Sequence, residues 1–143
     1  MLTQSLTAII LFISITTVAP ITVNAQSAHR FEIDIPFSFV LKGRTVSAGK
    51  YAVERTDPSR ADILTLRNVH KGTVQLVLTQ RVEMEKPSAA SSLVFIKREG
   101  KLYLFQVWNV GAVNGNQLPT AFEKTSDQPR KNLELVTLRA RVE

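Results

Sequence analysis

The side chains able to do chemistry are few. The 143-residue sequence holds two histidines, His29 and His70, and no cysteine, which excludes thiol catalysis and cysteine-ligated metals. A metal site needs clustered His, Cys or carboxylate ligands. His29 lies near the start of the chain and His70 in a His70-Lys71-Gly72 turn, so no metal site and no cofactor are expected. Nucleophilic catalysis would require His70 to meet a serine and an acid. No serine stands in a Gly-x-Ser-x-Gly elbow, and Ser88 to Ser92 falls in a small-residue segment. The acidic pairs Glu32/Asp34 and Glu83/Glu85 have strand spacing, which would suit a weak calcium contact or a two-carboxylate hydrolase. The same spacing describes the wet side of an edge strand, and that is the reading adopted. No glycine-rich phosphate loop followed by a helix is present.

The remaining candidate is a binding surface. Tyr103 and Trp108 stand close in sequence to Lys97, Arg98 and Lys101, a combination suited to a carbohydrate or an anionic polymer. As β-rich aromatics, Tyr103 and Trp108 equally fit the core or its rim. The balance of 18 Lys and Arg against 12 Asp and Glu gives a net charge of +6. Its cations are dispersed near strand ends and turns, so they read first as a solvated surface.

The first 25 residues set the address. No charged residue or histidine precedes His29, Leu6 to Val18 is apolar apart from Thr and Ser, and Val23-Asn24-Ala25 offers a peptidase site. Residues 1–25 therefore read as a signal peptide, although the basic start that usually precedes such a stretch is missing. Pro20 and the hydroxyl residues make the run a poor spanning helix. After cleavage no stable membrane insertion is expected. Residues 26–143 suffice for one domain. Without cysteine, that domain must be held by sheet packing alone. Export also argues against a nucleic-acid partner.

These side chains must be positioned by strands. From Phe31 to Leu41 every odd position is apolar, the period of a strand with one buried face. Lys42-Gly43 and Ser47-Ala48-Gly49 supply corners before Tyr51 and Val53 resume the alternation, which predicts two strands in the stretch 31–53. Gly49 suits the corner, and Tyr51 two positions on can bury its ring while its hydroxyl bonds back. Thr56 to Arg60 is a turn in which Asp57 bonds nearby amides. Residues 63–68 and 73–82 form a hairpin through Lys71-Gly72, the second strand amphipathic with Val74, Leu76, Leu78 and Val82 on one side. Residues 84–92 are a loop. Leu93 to Arg98 and Leu102 to Trp108 flank Glu99-Gly100-Lys101 as a second hairpin, apolar on both faces and so central. Residues 109–119 read as a loop and residues 121–124 as at most one helical turn; residues 133–142 fit either a helix (Leu135, Leu138, Val142) or a strand (Val136, Leu138, Ala140, Val142), and their β-branched residues favour the strand. The total is seven or eight strands, an all-β single domain built as a β-sandwich or partly open barrel.

Two segments, Pro36 to Val53 (PFSFVLKGRTVSAGKYAV) and Lys101 to Asn109 (KLYLFQVWN), resemble an uncharacterised family of small exported β-rich proteins of soil bacteria. Ser47 stands where that family more often has proline, which affects only the stiffness of the turn. The Ala48-Gly49-Lys50-Tyr51 corner also resembles that of prealbumin-like and carboxypeptidase-regulatory-like sandwich modules. The resemblance implies a sandwich and no activity. The sequence thus points to an exported, non-enzymatic binding or structural module of the envelope or periplasm. Its partner would be another envelope protein, met through an exposed strand edge or the 109–119 loop. A carbohydrate or anionic-polymer binder using Trp108 is the alternative, and a small hydrolase at His70 the weakest reading.

Overall fold

The computed structural model describes residues 30–120 and 133–141. The proposed signal peptide, His29 and the helical turn at 121–124 lie outside the described residues. Among the described residues there are eleven strands: β1 (Arg30–Ile35), β2 (Phe39–Leu41), β3 (Arg44–Val46), β4 (Gly49–Glu54), β5 (Ile63–Asn68), β6 (Val74–Leu78), β7 (Gln80–Glu83), β8 (Ser92–Arg98), β9 (Lys101–Trp108), β10 (Asn114–Gln117) and β11 (Glu134–Arg139). They form a four-stranded sheet, β1-β4-β5-β6, and a seven-stranded sheet along β11-β8-β9-β10-β7. In the second sheet β2 lies parallel to β9 at Val40 and Tyr103, and β3 pairs with β2. The architecture is a β-sandwich, with no closed barrel.

The count exceeds the expected seven or eight because the chain changes sheets within runs that look continuous. Phe31 to Leu41 is two strands, β1 in one sheet and β2 in the other, separated at Pro36–Ser38. Pro36 has no amide hydrogen to give a ladder. The alternation survives the crossing because both sheets face one core: Ile33, Ile35, Phe39 and Leu41 are all buried there, and the Phe37 and Phe39 rings both meet Phe95 edge-on. Stretch 31–53 consequently holds four strands. Lys42 and Gly43 make the β2–β3 turn at φ 53° and 74°, the paired positive angles of a two-residue hairpin turn.

The run 73–82 divides in the same way. Thr79 separates β6 from β7, its amide and hydroxyl both donating to the Asp62 carbonyl at 2.8 and 3.0 Å. Only Val77 of β6 enters the core. The apolar set Val74, Leu76 and Leu78 is 52, 56 and 63% exposed, on the opposite face of an edge strand.

The β8–β9 hairpin is central, as expected, with β11 beyond β8 and with β2 and β10 beyond β9. Its turn places Glu99 and Gly100 at φ 51° and 75°. The pairing jumps from Val94–Gln106 to Phe95–Leu104, leaving Phe105 as the extra residue of a β-bulge. The bulge reverses which face later side chains occupy. Leu104 and Val107 join the main core, while Phe105 and Trp108 join Val94 and Ile96 in a second cluster. The stretch 109–119 is only partly a loop, since β10 pairs with both β7 and β9. Residues 133–142 contain β11, with Val136 and Leu138 packed on the core.

Candidate functional site

The structure separates the residues that sequence groups together. Trp108 pairs with Ser92 at one end of the β8–β9 hairpin and Arg98 pairs with Lys101 at the other. Seven residues of extended chain, roughly 20 Å, lie between these ends. Trp108 is 5% exposed, and its ring lies so close to Gly115 that a Cβ there would sit 2.6 Å from it. Its indole N–H donates to Gln106 Oε1 at 3.2 Å, and Gln106 Nε2 in turn donates to Gln117 Oε1 at 3.0 Å. Trp108 is thus buried and stands at the opposite end of the hairpin from Lys97, Arg98 and Lys101. Lys97 pairs with Glu134 at 3.4 Å, and all three cations are exposed.

Of the other candidate residues, His70 lies in the turn after β5, Glu32 and Asp34 on β1, and Glu83 on β7. At the turn carrying His70, the amides of His70 and Lys71 donate to Asn68 Oδ1 at 3.1 and 2.8 Å. Among the described residues no group of three His, Asp or Glu side chains could hold a metal ion. Glu32 lies on edge strand β1 with Lys50 Nζ 3.1 Å and Arg30 3.6 Å away. The Lys50 hydrogen bond is the main cause holding its carboxyl below the usual range. Glu83, on edge strand β7, lies 3.7 Å from Arg81.

Tyr103, one of the expected surface residues, lines a cavity. An apolar cleft of about 780 Å³ runs between edge strand β6 and the β2–β3 turn. Five segments distant in sequence build it. Val40, Lys42 and Gly43 come from β2 and its turn, Ile63 from β5, and Leu76, Val77 and Leu78 from β6. Tyr103 and Leu104 of β9, with Leu118, Pro119 and Thr120 after β10, complete it. The Leu118 amide donates to the Phe105 carbonyl at 2.7 Å, which seats that segment against β9. A volume of this size falls in the range of roughly 300–1,000 Å³ typical of small-molecule sites, which are mostly apolar with a few placed polar groups.

Among the described residues Lys42 is the one charged side chain in this lining. Its ammonium donates to the Leu76 carbonyl at 3.0 Å, bridging the turn to the edge strand. Positive φ at both turn residues fixes where the lysine emerges. The arrangement suits retention of an apolar chain. Sequence reading missed the cleft because Val74, Leu76 and Leu78 look like an ordinary buried face. The one available signal was the polar Gln75 and Thr79 flanking Val77, which marks a strand with little to bury on its inner side.

No family model, curated protein or solved structure matches the chain.

Proposed function

We propose that the protein is an exported, non-enzymatic binding module of the cell envelope or periplasm, whose cleft between β6 and the β2–β3 turn holds a ligand with an extended apolar part. The cleft is the observation that carries this reading: about 780 Å³ lined by Val40, Ile63, Leu76, Leu78, Leu104 and Leu118 with a single charge at Lys42. Burying apolar surface contributes about 25 cal/mol per Å² removed from water, so an alkyl chain gains most where the walls are already apolar. Export is supported by the uncharged apolar stretch before His29. Among the described residues no helix is long and apolar enough to cross a membrane.

Titration of the purified protein with a neutral apolar dye, N-phenyl-1-naphthylamine, tests the reading. A saturable one-to-one fluorescence rise is expected, and Leu78→Glu, at a position 63% exposed, is expected to weaken it at least tenfold without lowering the melting temperature. A signal unchanged by Leu78→Glu, or no signal at all, contradicts it.

A second reading rests on the same edge. β6 has a sheet partner on one side only and carries exposed Val74, Leu76 and Leu78, which suits addition of an extended peptide from another envelope protein. Lys42 opposes that mode, because its ammonium already occupies the Leu76 carbonyl that an added strand would use.

A further inference from the structure

We infer that the ligand of this cleft is a single-chain anionic amphiphile, with its alkyl chain between β6 and β9 and its carboxylate at the Lys42 ammonium. The inference rests on the cleft-binding reading proposed above and adds the charge and form of the ligand.

The charge follows from what faces the cleft. Among the described residues no carboxylate lines it, and the one ionic group there is a cation. Arg30, Lys50, Arg60 and Lys97 each lie within 3.6 Å of a carboxylate, while Lys71 donates to the Ser47 hydroxyl outside the cleft. Lys42 bonds instead to a backbone carbonyl, which leaves its positive charge unneutralised among the described residues. An ammonium has three N–H donors, and the Leu76 carbonyl uses one. The others remain for an anion at the mouth. The net charge of +6 adds a long-range attraction of the same sign.

The form follows from the walls. Leu76 and Leu78 at the entrance and Leu104 and Leu118 deeper in offer methyl groups to a chain. The aliphatic stem of Lys42 runs beside them, so head and tail contacts come from one continuous surface. A neutral chain would satisfy the walls and leave the ammonium unneutralised. A free anion would meet the ammonium and forgo the walls. Only a molecule carrying both uses the whole site.

The decisive comparison is dodecanoate against dodecanol, equal in chain length and different in charge at neutral pH, titrated calorimetrically into the purified protein below their aggregation limits. Wild type is expected to prefer dodecanoate roughly tenfold, as one charge-assisted hydrogen bond implies. Lys42→Gln should abolish that preference, and Lys42→Arg should restore it. Equal affinities in wild type, or a preference that survives Lys42→Gln, would overturn the inference while leaving cleft binding intact. If neither compound binds, the reading of the cleft itself fails.

Discussion

The Tyr51 hydroxyl donates a 2.6 Å hydrogen bond to the Ser47 carbonyl, closing the corner between β3 and β4 with a ring that is itself buried. The same ring meets Phe39 edge-on across the sandwich at 5.7 Å. One side chain thus joins the corner at which the chain crosses between the sheets to the aromatic core that they share. Tyr51→Phe removes the hydroxyl and keeps the ring. It is expected to lower stability by about 1 kcal/mol, read as a lower urea midpoint at unchanged slope. Tyr51→Ala, which also empties the core site, should cost about 3–5 kcal/mol by the same measurement.

Gly115 and Trp108 set a limit on packing at the second cluster. A Cβ at Gly115 would meet three Trp108 ring carbons at 2.6 to 2.8 Å, so Gly115→Ala must displace the indole or the strand. A loss of about 1–3 kcal/mol is expected, together with a shifted emission maximum of this sole tryptophan. Gly43 has φ 74° but nothing near its Cβ position, so Gly43→Ala should cost only backbone strain and leave the emission unchanged.

Acid should weaken the fold through Asp57 and Glu32. The Ser59 hydroxyl and amide hold the Asp57 carboxyl below its ordinary range, and Lys50 does the same for Glu32. For a group whose folded pKa is depressed, the stabilisation is present above the unfolded value and disappears as pH falls through the folded one. The melting temperature is therefore expected to drop as pH falls below the usual carboxylate range. An Asp57→Asn, Glu32→Gln double variant should start lower at neutral pH and show a shallower acid slope.

The β6 stripe should govern solubility more than stability. Leu76→Lys replaces a side chain 56% exposed, so its effect on the unfolding free energy should stay within about 0.5 kcal/mol. Light scattering at high protein concentration should fall, because a charged edge strand resists pairing with another edge.

The corners and hairpins were legible because turn chemistry is local. Lys42-Gly43, Glu99-Gly100 and Asp57 with Ser59 all act where their residue types point, and residues 63–68 coincide with β5. The sheet changes at Pro36–Ser38 and Thr79 were hidden, since a period of two reports which way a side chain points and carries no label for the sheet. Phe105 hid the fate of Trp108: one bulged residue reverses the parity of all that follows it in β9, and no composition signal marks the position. Among the expected surface residues, Tyr103 lines a candidate site through a different partner, Val40 of β2. The cleft itself was illegible because its walls come from segments brought together only by the crossing of the chain between sheets.

Methyl chemical-shift mapping during titration with dodecanoate addresses the central claim most directly. Saturable shifts concentrated on Val40, Ile63, Leu76, Leu104 and Leu118, with Val110 and Leu135 unmoved, are predicted. Shifts centred on Val110 or Leu135, or spread evenly over the exposed methyl groups, would contradict it.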